Sequence, residues 1–491
     1  MNKVEKIILW IQSIYSRNLI IFLIILQTLV HVKYSNYPPV GYHQWRQTMG
    51  LSVARNFYEE DMNLFLPRVD SREQYTGITG MEFPIVYYCI SLTYKIFGVN
   101  NITARYVILF FSFISLAFCY FFFKELFRDK FYGLLSSCLL IFSPLFCYYS
   151  FLVLPEVPSL SFVFAFLYFL LKWENENKKK YMVLALFSLC LASLIKISAL
   201  IVFPYLLIRL WKRHNYNFKI IVGIILCLLP VLSWYLYARY LSNYYHNYDF
   251  LLSFRLPESF PDTIKALQKV FIQWLPEMYI NYAEFVLFVV GVYFLLKKRK
   301  EFIELKMFFT WYGLGLTIFM IVMLHMLVVH DYYMVISLPL IIGITTLGGK
   351  HYIEYLQLND RKKLLRYLAL IIAILIPVLG SIRALDRLER GVRDLSPEYL
   401  NLGKNISKVI PNKNELVIVI DESPSNLFYF AHRKGWHIKE DISLEEFSKF
   451  RKYDVRYLIS DNRNFDSREE MQQYLKPVYT DDLIRVYEIV K

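Results

Sequence analysis

Apolar runs recur along the first 384 residues, separated by short polar stretches, at about 19–33, 104–123, 132–149, 158–171, 182–195, 199–211, 219–240, 281–296, 307–327, 333–348 and 367–383. Crossing the hydrocarbon layer of a bilayer takes about 20 helical residues, with a usual range near 17–25. The fourth to sixth runs are short by that measure, and their ends are poorly marked. The pattern predicts an α-helical polytopic membrane protein of about 11 transmembrane helices. The first run follows Lys3, Lys6 and Arg17 and has no small-residue cleavage site, which predicts a retained anchor and not a cleaved signal peptide.

Two stretches break this rhythm. Residues from about 34 to 103 form a long loop dense in charged and aromatic side chains. Residues 385–491 have soluble composition, and short β-like runs at Leu416–Ile420, Val455–Ile459 and Leu483–Ile489 alternate with amphipathic stretches. That alternation predicts a small α/β domain of roughly 100 residues. The expected organisation is a membrane domain over 1–384, carrying the loop 34–103, followed by a soluble domain over 385–491. No internal repeat or low-complexity tract interrupts it.

Composition agrees with the pattern. Hydrophobic residues make up 56% of the 491 residues and charged ones 20%, against about 45–50% and 25% in soluble domains. The 40 Tyr, 40 Phe and 8 Trp suit bilayer interfaces. Disorder and collagen-like structure are excluded, and the composition argues against a single soluble globule. The six cysteines (Cys89, Cys119, Cys138, Cys147, Cys190 and Cys227) lie in apolar stretches without ligand spacing, so they read as small core hydrophobes, indicating neither a disulfide framework nor a zinc site.

The net charge of +14 becomes informative once it is mapped. With a cytoplasmic N-terminus, the cytoplasmic segments and adjoining span ends hold 24 Lys/Arg against 9 Asp/Glu. Clusters such as Lys178-Lys179-Lys180, Lys297-Lys298-Arg299-Lys300 and Arg361-Lys362-Lys363 account for much of this. The external parts of the first 384 residues hold 13 basic and 13 acidic residues, and 385–491 hold 18 and 19. The excess sits on one side, as the positive-inside rule requires, so both the loop 34–103 and the C-terminal domain are expected to be extracytoplasmic. The basic balance reports topology and gives no reason to expect a nucleic-acid partner.

Several chemistries lack their signatures. No Gly-rich loop with Lys-Ser/Thr is present, which argues against ATP-driven transport and a nucleotide cofactor. No Asp-x-Asp pair offers the metal-mediated grip on a nucleotide-sugar diphosphate, and Gly-x-Ser-x-Gly and His-Glu-x-x-His are missing.

The external loops carry the candidate chemistry. The first reads His43-Gln44-Trp45-Arg46-Gln47, then Ala54-Arg55-Asn56-Phe57, and later Glu82-Phe83-Pro84. A His, an Arg and a Glu bracketed by Trp and Pro beside a membrane entrance suit a site that needs a proton acceptor and a phosphate partner. The alternative is a solvated loop with Tyr42 and Trp45 as interface anchors. Further along, Glu156 sits between Pro155 and Pro158, and Lys196 occupies a very short external turn. A lone cation in apolar surroundings is costly and marks a pathway or an anionic ligand, unless it snorkels to the headgroups. His330-Asp331-Tyr332-Tyr333 fills another external turn, where the His–Asp pair could be a local hydrogen bond, a metal site or a proton relay.

Taken in order, these residues resemble glycosyltransferase family 39 and its relatives, the protein O-mannosyltransferases and the aminoarabinose transferases. The matching pieces are His43–Gln47, Ala54–Phe57, Glu82-Phe83-Pro84 with Lys95-Ile96-Phe97-Gly98, Pro155-Glu156, Lys196 and His330–Tyr333, so the resemblance spans nearly all of residues 1–384. Asp421-Glu422-Ser423-Pro424 and Arg433-Lys434-Gly435-Trp436 look like the tail of the bacterial members. Each motif alone is weak, whereas their order is fairly specific. The resemblance implies the C-type glycosyltransferase fold, a polyprenyl-phosphate sugar as donor, and a lipid, glycan or protein acceptor on the outer face of the cytoplasmic membrane. Relatives usually place an Asp in the first loop as catalytic base, where this chain has His43. In some relatives the acid matching Glu82 binds a divalent metal together with a later external His, a role that His246 or His330, with Asp331 beside it, could fill here.

The expected roles are therefore His43 or Glu82 as base, Glu156 orienting the acceptor, and Arg46, Arg55, Lys196 and Tyr333 around the donor phosphate. Rival readings are a secondary transporter or lipid flippase, for which inverted repeats would be needed, and an O-antigen-type polymerase or ligase, in which the large polar loop usually comes late in the chain.

Overall fold

The computed structural model describes residues 3–213, 218–250, 259–297, 303–358, 363–421 apart from 394 and 396, and 423–490 apart from 451–454. Of the residues singled out above, Lys298, Arg299, Lys300, Arg361, Lys362 and Glu422 lie outside these. The chain divides into two compact units: residues 1–35, 105–234 and 252–387 form the first, and residues 36–104, 235–251 and 388–491 the second.

The first unit is helical. Among the described residues, seven helices of the whole chain are long and apolar enough to cross a membrane: Ser16–Tyr34, Asn101–Phe127, Glu156–Glu176, Phe218–Tyr245, Ile303–Val329, Asp331–Gln357 and a stretch beginning at Lys363. The other apolar runs fall on shorter helices: Lys130–Phe142 with Pro144–Tyr149, Lys179–Ile195, Phe203–Lys212 and Tyr282–Lys297. Local chemistry explains the interruptions. Ser143 accepts a hydrogen bond from Phe146 N at 3.3 Å and precedes Pro144, so one helix ends and a second begins within a single apolar run. Lys196 is extended, with φ −153°, and separates Lys179–Ile195 from the 3₁₀ turn Ile197–Val202.

Close helix contacts use small residues, since burying apolar side chains drives little association when the solvent is lipid. Tyr282–Lys297 packs along Leu338–Leu358. A Cβ on Gly291 would lie 2.0 Å from Ile344 O, and one on Gly348 would lie 1.8 Å from Leu287 O. Helix Lys363–Arg393 continues past the end of its apolar run.

The second unit joins the first loop to the C-terminal segment. Its five-stranded sheet contains β1 (Leu416–Ile420), β2 (Lys434–His437), β3 (Tyr457–Ser460), β4 (Leu475–Thr480) and β5 (Arg485–Ile489), in the order β2-β1-β3-β5-β4. β1 pairs in parallel with β2 and β3, while β5 is antiparallel to β3 and β4. Buried side chains pack on both faces: Ile418, Leu458 and Phe465 on one, Val417, Val419, Leu427 and Ile459 on the other.

A sheet edge presents unpaired backbone groups. The edge at β2 is covered by the loop, since Gly435 N donates to Asp70 O at 3.1 Å, Arg72 N donates to Gly435 O at 2.6 Å, and Ser71 pairs in parallel with Gly435. Helix Gln44–Glu59 meets helix Pro424–Ala431 through Thr48 Oγ1 donating to Asn426 Oδ1 at 2.9 Å and Ser425 Oγ donating to Trp45 O at 3.2 Å. The end of Gln44–Glu59 is tied to β2 by charge: His432 and Lys434 flank Glu59 at 2.7 and 3.3 Å, and Arg72 and Lys434 both reach Glu60. Burial pushes the Glu59 carboxyl up, but the His432 hydrogen bond and the charges of Arg55 and Lys434 outweigh it and hold the group down at about 2.

Candidate functional site

The sequence-derived candidates fall into both units. In the second unit, a tight turn places His43 immediately before helix Gln44–Glu59, with φ 63° and ψ 33°, and Gln44 N donates to Gly41 O at 3.1 Å. The left-handed conformation is uncommon outside glycine, though His tolerates it better than most residues. His43 is buried, makes no side-chain cap to the helix, and meets the Tyr42 ring edge-on at 5.9 Å.

One helical turn on, the buried Arg46 pairs with Glu82, and its guanidinium lies 4.3 Å from the centre of the Phe250 ring. Both side chains are almost wholly removed from water, so each fixes the other's position. Nine residues later, Arg55 is gripped differently. Its Nη2 lies 2.5 Å from Asp70 Oδ2, its Nη1 donates to Tyr429 O at 3.2 Å, and the guanidinium faces the Tyr429 ring at 5.1 Å. Asn56 Nδ2 donates to Asp70 Oδ1 at 3.2 Å and to Arg68 O at 3.0 Å. This fastens the helix to the strand-like loop that covers β2. His246, at φ 52°, is exposed, and the carboxylate whose ionisation it favours is Glu73.

In the first unit, Glu156 opens its helix and lies 2.8 Å from Lys196 Nζ, both buried. Lys196 follows the last residue of Lys179–Ile195, where the partial negative charge of a helix C-terminus favours a cation. Its Nζ also faces the rings of Tyr333 and Tyr332, 5.2 and 5.5 Å from their centres. Lys196 is therefore held by one carboxylate and two aromatic faces.

Two residues further back in the same turn, Asp331 is taken up by Arg387 at 2.8 Å and by Tyr149 Oη, which donates to it at 2.6 Å. Arg387 in turn donates to Tyr149 Oη at 3.3 Å and stacks over Tyr148 at 4.1 Å. His330 stacks on Tyr332, with ring centres 5.3 Å apart.

Sequence reasoning missed Arg387, because it lies beyond the last apolar run and was counted with the soluble segment. The available signal was Arg383 and Arg387 four residues apart, which continue the helix as a basic stripe. The role of Asp70 as the partner of Arg55 was also missed, since fifteen residues of loop separate the two.

The residues suggested for a divalent metal do not assemble into a donor set. Among the described residues no group of three or more His, Cys, Asp and Glu converges. Glu82 is paired with Arg46, Asp331 with Arg387 and Tyr149, and His246 is near Glu73.

Comparison with known proteins bears on this geometry. Residues 82–237 match the family model of the dolichyl-phosphate-mannose-protein mannosyltransferases. A curated relative, an uncharacterized protein of Aquifex aeolicus, is 29% identical over 247 residues. The match covers 49% of this chain and 48% of that protein, about half the length of each.

Among solved structures, ArnT from Cupriavidus metallidurans in the apo state superposes with a TM-score of 0.67 at 11% identity, over 95% of this chain and 97% of ArnT. The same protein bound to undecaprenyl phosphate gives 0.66. The mycobacterial arabinofuranosyltransferase AftD gives 0.60 at 12% identity, over 98% of this chain and 40% of AftD. The chain is thus a multi-pass membrane protein with the C-type glycosyltransferase fold. The resemblance to family 39 read from its motifs is borne out, with the family match lying in residues 82–237.

Proposed function

We propose that this chain is an inverting glycosyltransferase of the cytoplasmic membrane, moving a sugar from a polyprenyl phosphate to a hydroxyl of a lipid, glycan or protein acceptor. Its N-terminus would lie in the cytoplasm, and the second unit with its chemistry outside. The observation that carries this reading is the ArnT fold over nearly the whole chain, with Glu82 beginning the stretch that matches a lipid-phosphate-sugar transferase family.

In the reaction, the acceptor oxygen attacks the anomeric carbon as the bond to the phosphate oxygen breaks, so configuration inverts and polyprenyl phosphate leaves with the bonding electrons. The hydroxyl proton needs an acceptor and the departing phosphate needs cations. His43 suits the first need, because a neutral imidazole takes a proton near neutral pH and Glu82 is engaged by Arg46. Lys196 suits the second, as a point charge. Arg46 is a further phosphate partner, whose fork Glu82 would orient. Glu156 would keep Lys196 in place, and Tyr333 would shield it from water. Arg55, fastened by Asp70 and Tyr429, would serve as scaffold for the helix that bears His43 and Arg46.

The assignment of the base is tested by turnover. His43→Ala is expected to lower it by about 10²–10⁴, the usual worth of a positioned proton acceptor, while leaving donor affinity nearly unchanged. If Glu82→Gln abolishes turnover and His43→Ala is nearly silent, the proton goes to Glu82.

A further inference from the structure

The second unit encloses a cleft of about 480 Å³, apart from the residues given chemical roles above. It is lined by Trp45, Asp70, Glu73, Asp249, Ser425 and His437, among others, and among the described residues no Lys or Arg lines it. The volume is within the range of small-molecule clefts, about 300–1,000 Å³.

The polar groups of the lining are of one kind. Glu73 is pushed up by the surrounding protein, with His246 pulling the other way. Asp249 is exposed at the mouth, yet the protein massed around its carboxyl and the charge of Glu73 push it up to about 6. His437 is driven toward its neutral form by burial. Its Nε2 lies 3.1 Å from Asp421 O, which as a carbonyl can only accept, so Nε2 carries the proton and Nδ1 remains an acceptor. Together with the serine hydroxyls this is a wall of acceptors and weak donors, beside the half-buried indole of Trp45. Hydroxyl-rich, non-anionic ligands match such a wall, whereas phosphates would meet three carboxylates, Glu73, Asp249 and the Arg55-paired Asp70.

We propose that this cleft is an acceptor subsite for a non-anionic glycan unit, neutral or amino-substituted, stacked on Trp45 with its hydroxyls bound by Glu73, Asp249 and the serines. The proposal deepens the glycosyltransferase reading and rests on it. It places acceptor selection on the loop and on the segments flanking β1 and β2, and it makes the acceptor a sugar rather than a peptide or a lipid phosphate.

The test is saturation-transfer NMR on the purified full chain with methyl glycosides of hexose, N-acetylhexosamine and aminohexose, and with glucose 6-phosphate as the anionic control. At least one glycoside should receive saturation and the phosphate should not. Trp45→Ala should weaken the bound glycoside by about five- to tenfold, the worth of an aromatic contact, and so should the Glu73→Gln, Asp249→Asn double variant. The double variant preserves size and guards against a Trp45→Ala chain that fails to fold. Absence of glycoside binding to the wild-type chain, preference for the sugar phosphate, or wild-type affinity in folded variants would overturn the proposal. Undecaprenyl phosphate added to the same samples reports the donor reading separately: loss of its binding with glycoside binding intact would contradict the transferase and not the cleft.

Discussion

At the scale of single residues, Lys196 shows how a cation can persist in apolar surroundings. An isolated ammonium there would be driven to shed its proton or reach for water. Glu156 at 2.8 Å, two tyrosine faces and the end of its own helix instead surround the ammonium. A donor phosphate arriving beside it would gain a charge-assisted hydrogen bond. Lys196→Ala is therefore expected to weaken binding of undecaprenyl phosphate by about 1.5–3 kcal/mol, roughly ten- to hundredfold in Kd, with a smaller effect on turnover at saturating donor. Lys196→Arg should restore part of the affinity. Calorimetric titration of the purified chain measures both variants, and unchanged affinity in Lys196→Ala would assign the residue to packing.

At the scale of elements, the long regular features were legible and the edges were not. The apolar runs fall on helices, the longest on single ones such as Asn101–Phe127 and Ile303–Val329, because a long apolar segment in lipid must satisfy its backbone internally. β1 was legible to the residue, since a strand buried between parallel partners reads as a Val/Ile/Leu run, and β3 and β5 were nearly so from their shorter apolar stretches. β2 and β4 lie at the two edges. Lys434-Gly435-Trp436-His437 has a glycine where a β-branched residue was expected, and Leu475–Thr480 is mostly exposed. What fixes β2 is tertiary, namely the loop residues 70–72 pairing along it, and no periodicity within either segment encodes that.

The candidate residues were likewise legible by type, but not by partner. Arg46 and Glu82 are 36 residues apart, and Arg387 and Asp331 are separated by a whole helix. Gly435 tests this reading of the edge. A Cβ there would lie 1.7 Å from Val417 O in the paired strand. Gly435→Ala is expected to cost about 1–3 kcal/mol or more, as overpacking does. Amide hydrogen exchange in the full chain should show faster exchange at both Gly435 and Arg72. Unchanged protection of Arg72 would mean that the loop does not depend on β2.

At the scale of the whole molecule, the distribution of charge is what supports the proposed orientation. The segments that the proposed orientation places in the cytoplasm carry 24 Lys/Arg and 9 Asp/Glu, whereas those it places outside within residues 1–384 are balanced at 13 each. Reporter fusions after Lys491 and within residues 172–181 should therefore report opposite compartments, the first outside and the second in the cytoplasm. The same compartment for both would break the alternation on which the external placement of His43 and Glu82 rests.

The central claim is the donor. The ArnT-like fold and the family match over residues 82–237 support a sugar carried on a polyprenyl phosphate, and the missing Asp-x-Asp removes the usual grip on a nucleotide diphosphate. Its most direct test incubates the purified full chain in detergent with a lipid extract and an envelope-glycan extract of the source cells, and follows free undecaprenyl phosphate by mass spectrometry. Release of undecaprenyl phosphate with loss of its glycosylated form, matched by a new sugar on the acceptor fraction, is the expected result. Transfer from a nucleotide sugar in the absence of any lipid carrier would contradict the account.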